Sequence, residues 1–187
     1  MPVIFAGDLG VFSRLEETMK KEKSIELLNK AVADELASVH QYMYFHFHCD
    51  DQGYDLLANL FRRTAIDEMI HIEKLSERIL FLKGDVEMVP AWKVEKIHDV
   101  KAMLEKGAKM ETGSVSDYNR WANECSKAED SSSKKLFEEL VTEEEGHYNR
   151  FDMELDKLVK FGDNYLALQS IERSKTVSAA GGGSSAT

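Results

Sequence analysis

The sequence predicts an all-α fold: a four-helix bundle with one long crossover and a short fifth helix. Three observations carry that prediction. Apolar residues recur in steps of three and four over four long stretches. The only two prolines, Pro2 and Pro90, fall outside those stretches, so no helix interior is interrupted. Two of the three connections between the stretches are tight, and the middle one is long.

The first helix opens at Ser24, a residue type suited to capping, and runs to about Asp51, where Gln52-Gly53 breaks it. The second runs from about Asp55 to Leu82 and stops at Gly84. The third spans about Asp99 to Lys127, and the fourth about Ser132 to Lys160, stopping at Gly162. A fifth pattern, from Asn164 to about Arg173, carries an apolar stripe of Tyr165, Leu166, Leu168 and Ile171. It is too short to fold alone, so it is expected to pack against neighbours. Residues 24–173 thus form the bundle and its appendage. Residues 1–23 are an extension holding Phe5, Phe12 and Leu15, with no role assigned. Residues 174–187, ending in AAGGGSSAT, read as a disordered tail.

Connection lengths set the topology. The turn at Gln52-Gly53 makes the first two helices antiparallel neighbours, and Ala128–Ser131 does the same for the third and fourth. Extended, the segment from Lys83 to His98 reaches roughly 50 Å. A helix of about 28 residues is roughly 42 Å long. The middle connection therefore suffices to cross the whole bundle.

Composition narrows the function. The chain has 34 acidic and 24 basic residues, a net charge of −10, and no basic stripe. That speaks against nucleic acid as a partner and favours cations. Cys49 and Cys125 form no CxxC pair and no disulfide framework, which suits a reducing compartment. The N-terminus lacks a basic start and a long apolar run, and no stretch approaches the 18 or so apolar residues of a span. The expectation is a cytoplasmic protein with no membrane partner.

The helical seams contain the informative residues. The first helix reads Ile25, Leu28, Val32, then Glu35, then Val39 and Tyr42. The second reads Leu57, Phe61, Thr64, then Glu68 and His71, then Leu75. The third places Glu111 between Gly107 and Ser114, and the fourth places Glu144 and His147 between Leu140 and Phe151. Six ionisable residues thus occupy positions where the helical period calls for core. Adding 76 to 35, 68 and 71 gives 111, 144 and 147, as if one helical hairpin were used twice. Glu35 lies about 11 residues into its helix and the other three glutamates 12 or 13, so all four meet near mid-bundle.

A single ExxH in a chain this rich in glutamate is more often a solvated helix face than a site. Two such units, each with a partner glutamate at equal spacing and all in the seam, outweigh that reading. Four buried carboxylates cannot all stay ionised unaided, because desolvation and mutual repulsion would raise their pKa values. Two divalent cations cancel the four charges. Oxygen-rich ligands with one imidazole per metal suit iron or manganese, whereas zinc would more often bring thiolate. One Glu from each of two helices, plus an ExxH from each of the others, is the arrangement of di-iron carboxylate bundles.

On these residues the chain resembles the bacterioferritin family, from about Ile25 to Ile171. The matching segments are Glu35-Leu-Ala-Ser-Val-His-Gln-Tyr42, Ile66-Asp-Glu-Met-Ile-His71, Glu77-Arg-Ile-Leu-Phe-Leu82, Glu143-Glu-Glu-Gly-His147 and Gly162-Asp-Asn-Tyr-Leu166. The resemblance implies a ferritin-like fold and a ferroxidase that oxidises Fe(II) with dioxygen or hydrogen peroxide. It implies that Glu68 and Glu144 bridge two irons, completed by Glu35 with His71 and by Glu111 with His147. It places a tyrosine beside the site at Tyr42 and a haem ligand at Met69. It also implies a homo-oligomeric shell of twenty-four subunits that stores ferric mineral, with haem at two-fold interfaces and an electron-donor protein for iron release. Two positions depart from the family pattern: Arg150 stands where a tryptophan is common, and Leu75 where a tyrosine is common. A rubrerythrin-like di-iron peroxidase usually adds two CxxC knuckles, and a DNA-protecting mini-ferritin uses an interfacial metal pattern and often a basic tail; neither feature is in the sequence.

His46, His48 and Cys49 form a cluster that reads more simply as a polar helix end than as a metal site. Met43, Met88, Met103, Met110 and Met153 read as packing residues.

Overall fold

The structure, a computed structural model, describes residues 6–168, 170 and 171. Four long helices dominate it: α1 (Ala6–Asp51), α2 (Asp55–Phe81), α3 (Val100–Lys127) and α4 (Ser131–Phe161). A short fifth helix, α5, starts at residue 163; residues 163–168, 170 and 171 are helical. The predicted tail, 174–187, lies outside the described residues, as does Phe5.

Asp99 and Asp130 cap α3 and α4: their carboxylates accept from Ala102 N at 2.8 Å and Ser133 N at 3.0 Å. Gly162 ends α4 in a positive-φ conformation of 54° that other residues adopt at a cost.

One helix end differs from expectation. Ser24 is not a cap, because α1 runs through it from Ala6. The preceding segment, Arg14-Leu-Glu-Glu-Thr-Met-Lys-Lys-Glu-Lys23, contains no helix breaker. Lys23 anchors this turn to α3 through Glu124 at 3.1 Å, and Lys20 pairs with Glu129. Ser24 itself is buried, with its hydroxyl 4.0 Å from Cys125 Sγ. α2 ends where expected, just before Gly84, whose N–H donates to Ile79 O at 3.0 Å. The left-handed residue there is Lys83, at φ 69°, and Gly84 is small because a Cβ would sit 2.7 Å from Ile25 Cγ2.

The crossover runs alongside α1 in register. Asn29 donates to Asp85 O, Ala91 N donates to Ala33 O, Glu95 N donates to Gln41 Oε1, and Gln52 donates to His98 O. From Asn29 to Gln52 that track covers about 35 Å. It places α2 and α3 parallel, and hence α2 and α4 antiparallel.

The core divides into two apolar clusters. One gathers Tyr42, Phe45, Phe61, Met103 and Phe151; the other gathers Leu28, Val32, Leu75, Ile79, Tyr118, Trp121 and Phe137. Of the methionines read as packing residues, Met103 is buried, while Met88 and Met153 are exposed. Among the described residues, no helix is long and apolar enough to cross a membrane.

Candidate metal centre

A polar layer lies between the two apolar clusters, built by the six seam residues. Glu35, Glu68, His71, Glu111, Glu144 and His147 are all buried, none exposed beyond 3%. Each comes from a different turn: Glu35 from α1, Glu68 and His71 from α2, Glu111 from α3, Glu144 and His147 from α4. The i,i+3 spacing puts each Glu and its His on one helix face.

The donor atoms form two groups that share two members. Glu35, Glu68, His71 and Glu144 bring one ligand atom each to within 4.8 Å of one another, and so do Glu68, Glu111, Glu144 and His147. His71 Nδ1 lies 2.9 Å from Glu68, 3.1 Å from Glu144 and 3.2 Å from Glu35. His147 Nδ1 lies 3.0 Å from Glu68, 3.3 Å from Glu144 and 3.8 Å from Glu111. The two imidazoles lie nearly parallel, 5.6 Å apart. Donors of a six-coordinate ion with bonds of about 2.1 Å stand about 3 Å apart, so these separations match the edges of a coordination polyhedron.

Hydrogen bonding agrees. Glu68 Oε2, both Glu144 oxygens and His147 Nδ1 are buried and hydrogen-bond to no described residue. Buried polar atoms left unpaired are costly, and a metal between them removes the cost. The residues therefore fit two cations, with Glu68 and Glu144 facing both.

Electrostatics shows how the layer copes without metal. Burial, then the nearby Glu68 and Glu144, push the Glu35 carboxyl well above the usual range. Burial, then contact with Glu144 and the charge of Glu68, do the same to Glu111. Burial opposes ionisation of Glu144, but Glu111, His147 and His71 outweigh it and hold the group far below the usual range. Burial likewise disfavours charged imidazoles, yet the surrounding carboxylates prevail: His71 is raised strongly and His147 is pushed up to about 12. Protons thus take the place of metal charge.

Three sets of residues support this layer beyond the six. Tyr42 donates its hydroxyl to Glu111, and its ring packs on Phe61 and Phe151. Tyr118, whose role the sequence reading missed, donates to Glu35 Oε1 at 2.5 Å. Outside the histidines stand Glu143, 2.8 Å from His71 Nε2, and Asp67, 3.4 Å from His147 Nε2. The spacing of 76 already pairs 42 with 118 and 67 with 143.

His46, His48 and Cys49 face different partners. His46 Nδ1 bonds to Ala58 O at 2.9 Å, His48 stacks on His98, and Cys49 is buried against the Met103 sulfur. Leu75 packs in the core, while Arg150 reaches Asp67 at 3.1 Å. Met69 lies on the outer face of α2 and is 55% exposed.

Fold and site together define a ferritin-like four-helix bundle with a paired metal centre, and residues 25–161 match the family model of the ferritin-like domain. The bacterioferritin of Brucella melitensis is 38% identical over 146 residues, covering 78% of this chain and 91% of that protein. The bacterioferritin of Desulfovibrio desulfuricans is 36% identical over 148 residues, covering 79% and 83%. The chain belongs to the bacterioferritin family. The X-ray structure of the Desulfovibrio desulfuricans protein, described with its diiron site in different catalytic states, superposes with a TM-score of 0.81 at 34% identity, covering 82% of this chain and 90% of that one. The buried carboxylate and histidine layer fits a di-iron centre.

Proposed function

We propose that this chain is a ferroxidase and iron-storage subunit whose catalytic residues are Glu35, Glu68, His71, Glu111, Glu144 and His147. Two donor groups sharing Glu68 and Glu144 carry the reading. Each shared carboxylate has one oxygen for either metal position, so it fixes the separation between the two. Glu35 with His71, and Glu111 with His147, complete the two ends. Iron bound there supplies the redox chemistry, each Fe(II) giving one electron to dioxygen or hydrogen peroxide. The protein keeps the ligands in place before metal arrives, and the apolar clusters on both sides exclude bulk water.

The ferric product is stored inside a homo-oligomeric shell of twenty-four subunits in the cytoplasm. Support for assembly comes from α5: Tyr165 docks on its own chain, but Leu168 and Ile171 remain exposed. Met69 would hold a haem across a two-fold interface, and a haem there would supply a redox centre between a donor protein and the stored iron. Support comes from the exposed thioether and its apolar flanks, Ile66 and Ile70. Residues 24–173 act as the assembling unit.

The test is stopped-flow oxidation of Fe(II) added to metal-free protein. Glu68→Ala removes an oxygen from both metal positions and should abolish the rapid phase while the protein still assembles. A wild-type rapid phase in that variant refutes the assignment.

A further inference from the structure

We propose that Arg150 and Lys74 are positioning residues of this site: each holds a carboxylate against one ligand histidine, in two crossed clamps that join α2 to α4. The proposal rests on the paired metal centre proposed above. In the first clamp His71 of α2 faces Glu143 of α4 at 2.8 Å, and Glu143 is held by Lys74 of α2 at 2.7 Å. In the second, His147 of α4 faces Asp67 of α2 at 3.4 Å, and Asp67 is held by Arg150 of α4 at 3.1 Å. Each chain of contacts leaves one helix, touches the other, and returns three residues beyond its histidine. The two are images of each other under the spacing of 76, since 74 maps to 150 and 67 to 143.

The placement has a chemical consequence. A ligand imidazole must present Nδ1 unprotonated to metal, so its proton must sit on Nε2. Glu143 accepts that proton's hydrogen bond from His71 at 2.8 Å, while Asp67 stands 3.4 Å from His147 Nε2, close enough to favour the same tautomer by charge. Glu143 and Asp67 are partly exposed, so on their own they would be free to swing into solvent. Lys74 and Arg150 remove that freedom. They also settle the charge. Four glutamates balance two divalent ions, and the two outer carboxylates would then leave the site negative by two; the two cations restore neutrality.

Helix packing adds a second reason for the crossing. α2 packs chiefly against α1, and α4 chiefly against α3, whereas α2 and α4 meet over a smaller area. Histidines on α2 and α4 therefore depend on side chains to hold them in register. Arg150, which replaces the aromatic residue common in the family, has here a task that a tryptophan cannot perform, because it lacks a cation.

Co(II) titration of the metal-free, full-length protein tests this, read by the visible absorption of the bound ion. Wild type should take up two Co(II) per subunit. Arg150→Met and Lys74→Met should each weaken one binding step about tenfold, and the double variant both steps. Arg150→Lys and Lys74→Arg keep the charge and should restore most of the affinity. Unchanged affinity in both Met variants overturns the clamps, and so does a loss that the charge-keeping variants fail to rescue. Wild type that binds no Co(II) tightly would instead remove the metal centre itself.

Discussion

Tyr118 donates its hydroxyl to Glu35, and Tyr42, 76 residues earlier, donates its own to Glu111. Each tyrosine thus orients the terminal glutamate of the opposite hairpin, and each stands in a different apolar cluster. The two hydroxyls should be equivalent in energy. Tyr118→Phe removes one of the two partners of Glu35 Oε1, the other being His71 Nδ1 at 3.2 Å, a loss of roughly 1 kcal/mol. Thermal unfolding of the metal-free protein should show Tyr118→Phe and Tyr42→Phe destabilised alike. A silent Tyr118→Phe beside a destabilised Tyr42→Phe would break the equivalence.

Metal uptake should release protons. Without metal, Glu35 and Glu111 hold carboxyl protons because burial and neighbouring charge raise them, and His71 and His147 are held as imidazolium by the carboxylates around them. Divalent ions displace the imidazolium protons of His71 and His147 and any protons that the raised Glu35 and Glu111 carboxyls hold. Anaerobic titration in weak buffer near neutral pH should therefore detect proton release on metal binding. Metal uptake without proton release would mean that the layer holds its charge in another way.

The same protons give the metal-free protein a pH-dependent stability. The native state keeps the His147 proton up to about 12, while the unfolded chain loses it near 6.5. Stability from this group is complete below about 6.5 and declines as pH rises toward 12. Glu35 and Glu111, also raised, act in the same direction from about 4.5 upward. Glu144, depressed, acts oppositely, and only below about 4.5. Between pH 6.5 and 8.5 the His147 proton alone changes stability by about 1.4 kcal/mol per pH unit, or about 3–6 °C of melting temperature for a chain this size. Melting curves of metal-free protein should fall across that window, and metal-loaded protein should not follow them. A flat metal-free profile would contradict the protonated layer.

The buried polar layer of six residues was legible in the sequence because ionisable residues in a helical seam violate the apolar period, and the spacing of 76 doubles every anomaly. Tyr118 and the outer pair Asp67 and Glu143 obey the same spacing. They went unread because a tyrosine in a seam, or an acid on a helix face, breaks no pattern. The start of α1 was not legible for a related reason. Ser24 is a good cap residue only where the chain leaves helical geometry, and nothing in residues 14–23 makes it leave. Gly84 marks the helix stop as the sequence indicates, but its packing against Ile25 is a long-range contact with no local signature.

Assembly should depend on the exposed side of α5. Leu168 is 58% exposed although its neighbour Tyr165 is buried and donates to Glu154. A helix this short gains stability from packing, not from its own hydrogen bonds. Leu168→Asp should therefore leave the bundle folded but disfavour the closed shell. Sedimentation velocity should show wild type as a large particle and the variant as small species with unchanged helicity. A variant that sediments like wild type would place the contact elsewhere.

The haem site proposed at Met69 would give the sharpest separation of functions. Met69 follows Glu68 directly, so its side chain points about 100° away from the metal layer. It lies on the outer surface of α2 between Ile66 and Ile70, all three exposed in the single chain. An exposed apolar strip of this kind calls for a covering partner. A second copy related by a two-fold axis would bring a second Met69 to the same place, because an isologous interface presents each residue twice. Two thioethers then face one another across the interface, a donor pair that suits haem iron and tends to raise its reduction potential. Met69→Leu keeps the size and apolarity of the strip but removes the sulfur. Its melting temperature, particle size and initial Fe(II) oxidation rate should match wild type, because Met69 lies on the exposed face of α2 while the six metal-layer residues are buried. Haem content, read from the visible absorption band of protein expressed with adequate haem supply, should fall to background. Release of stored iron by an external reductant should slow in proportion to the haem lost. Stoichiometric haem with an unchanged spectrum in the leucine variant would reduce Met69 to a packing residue.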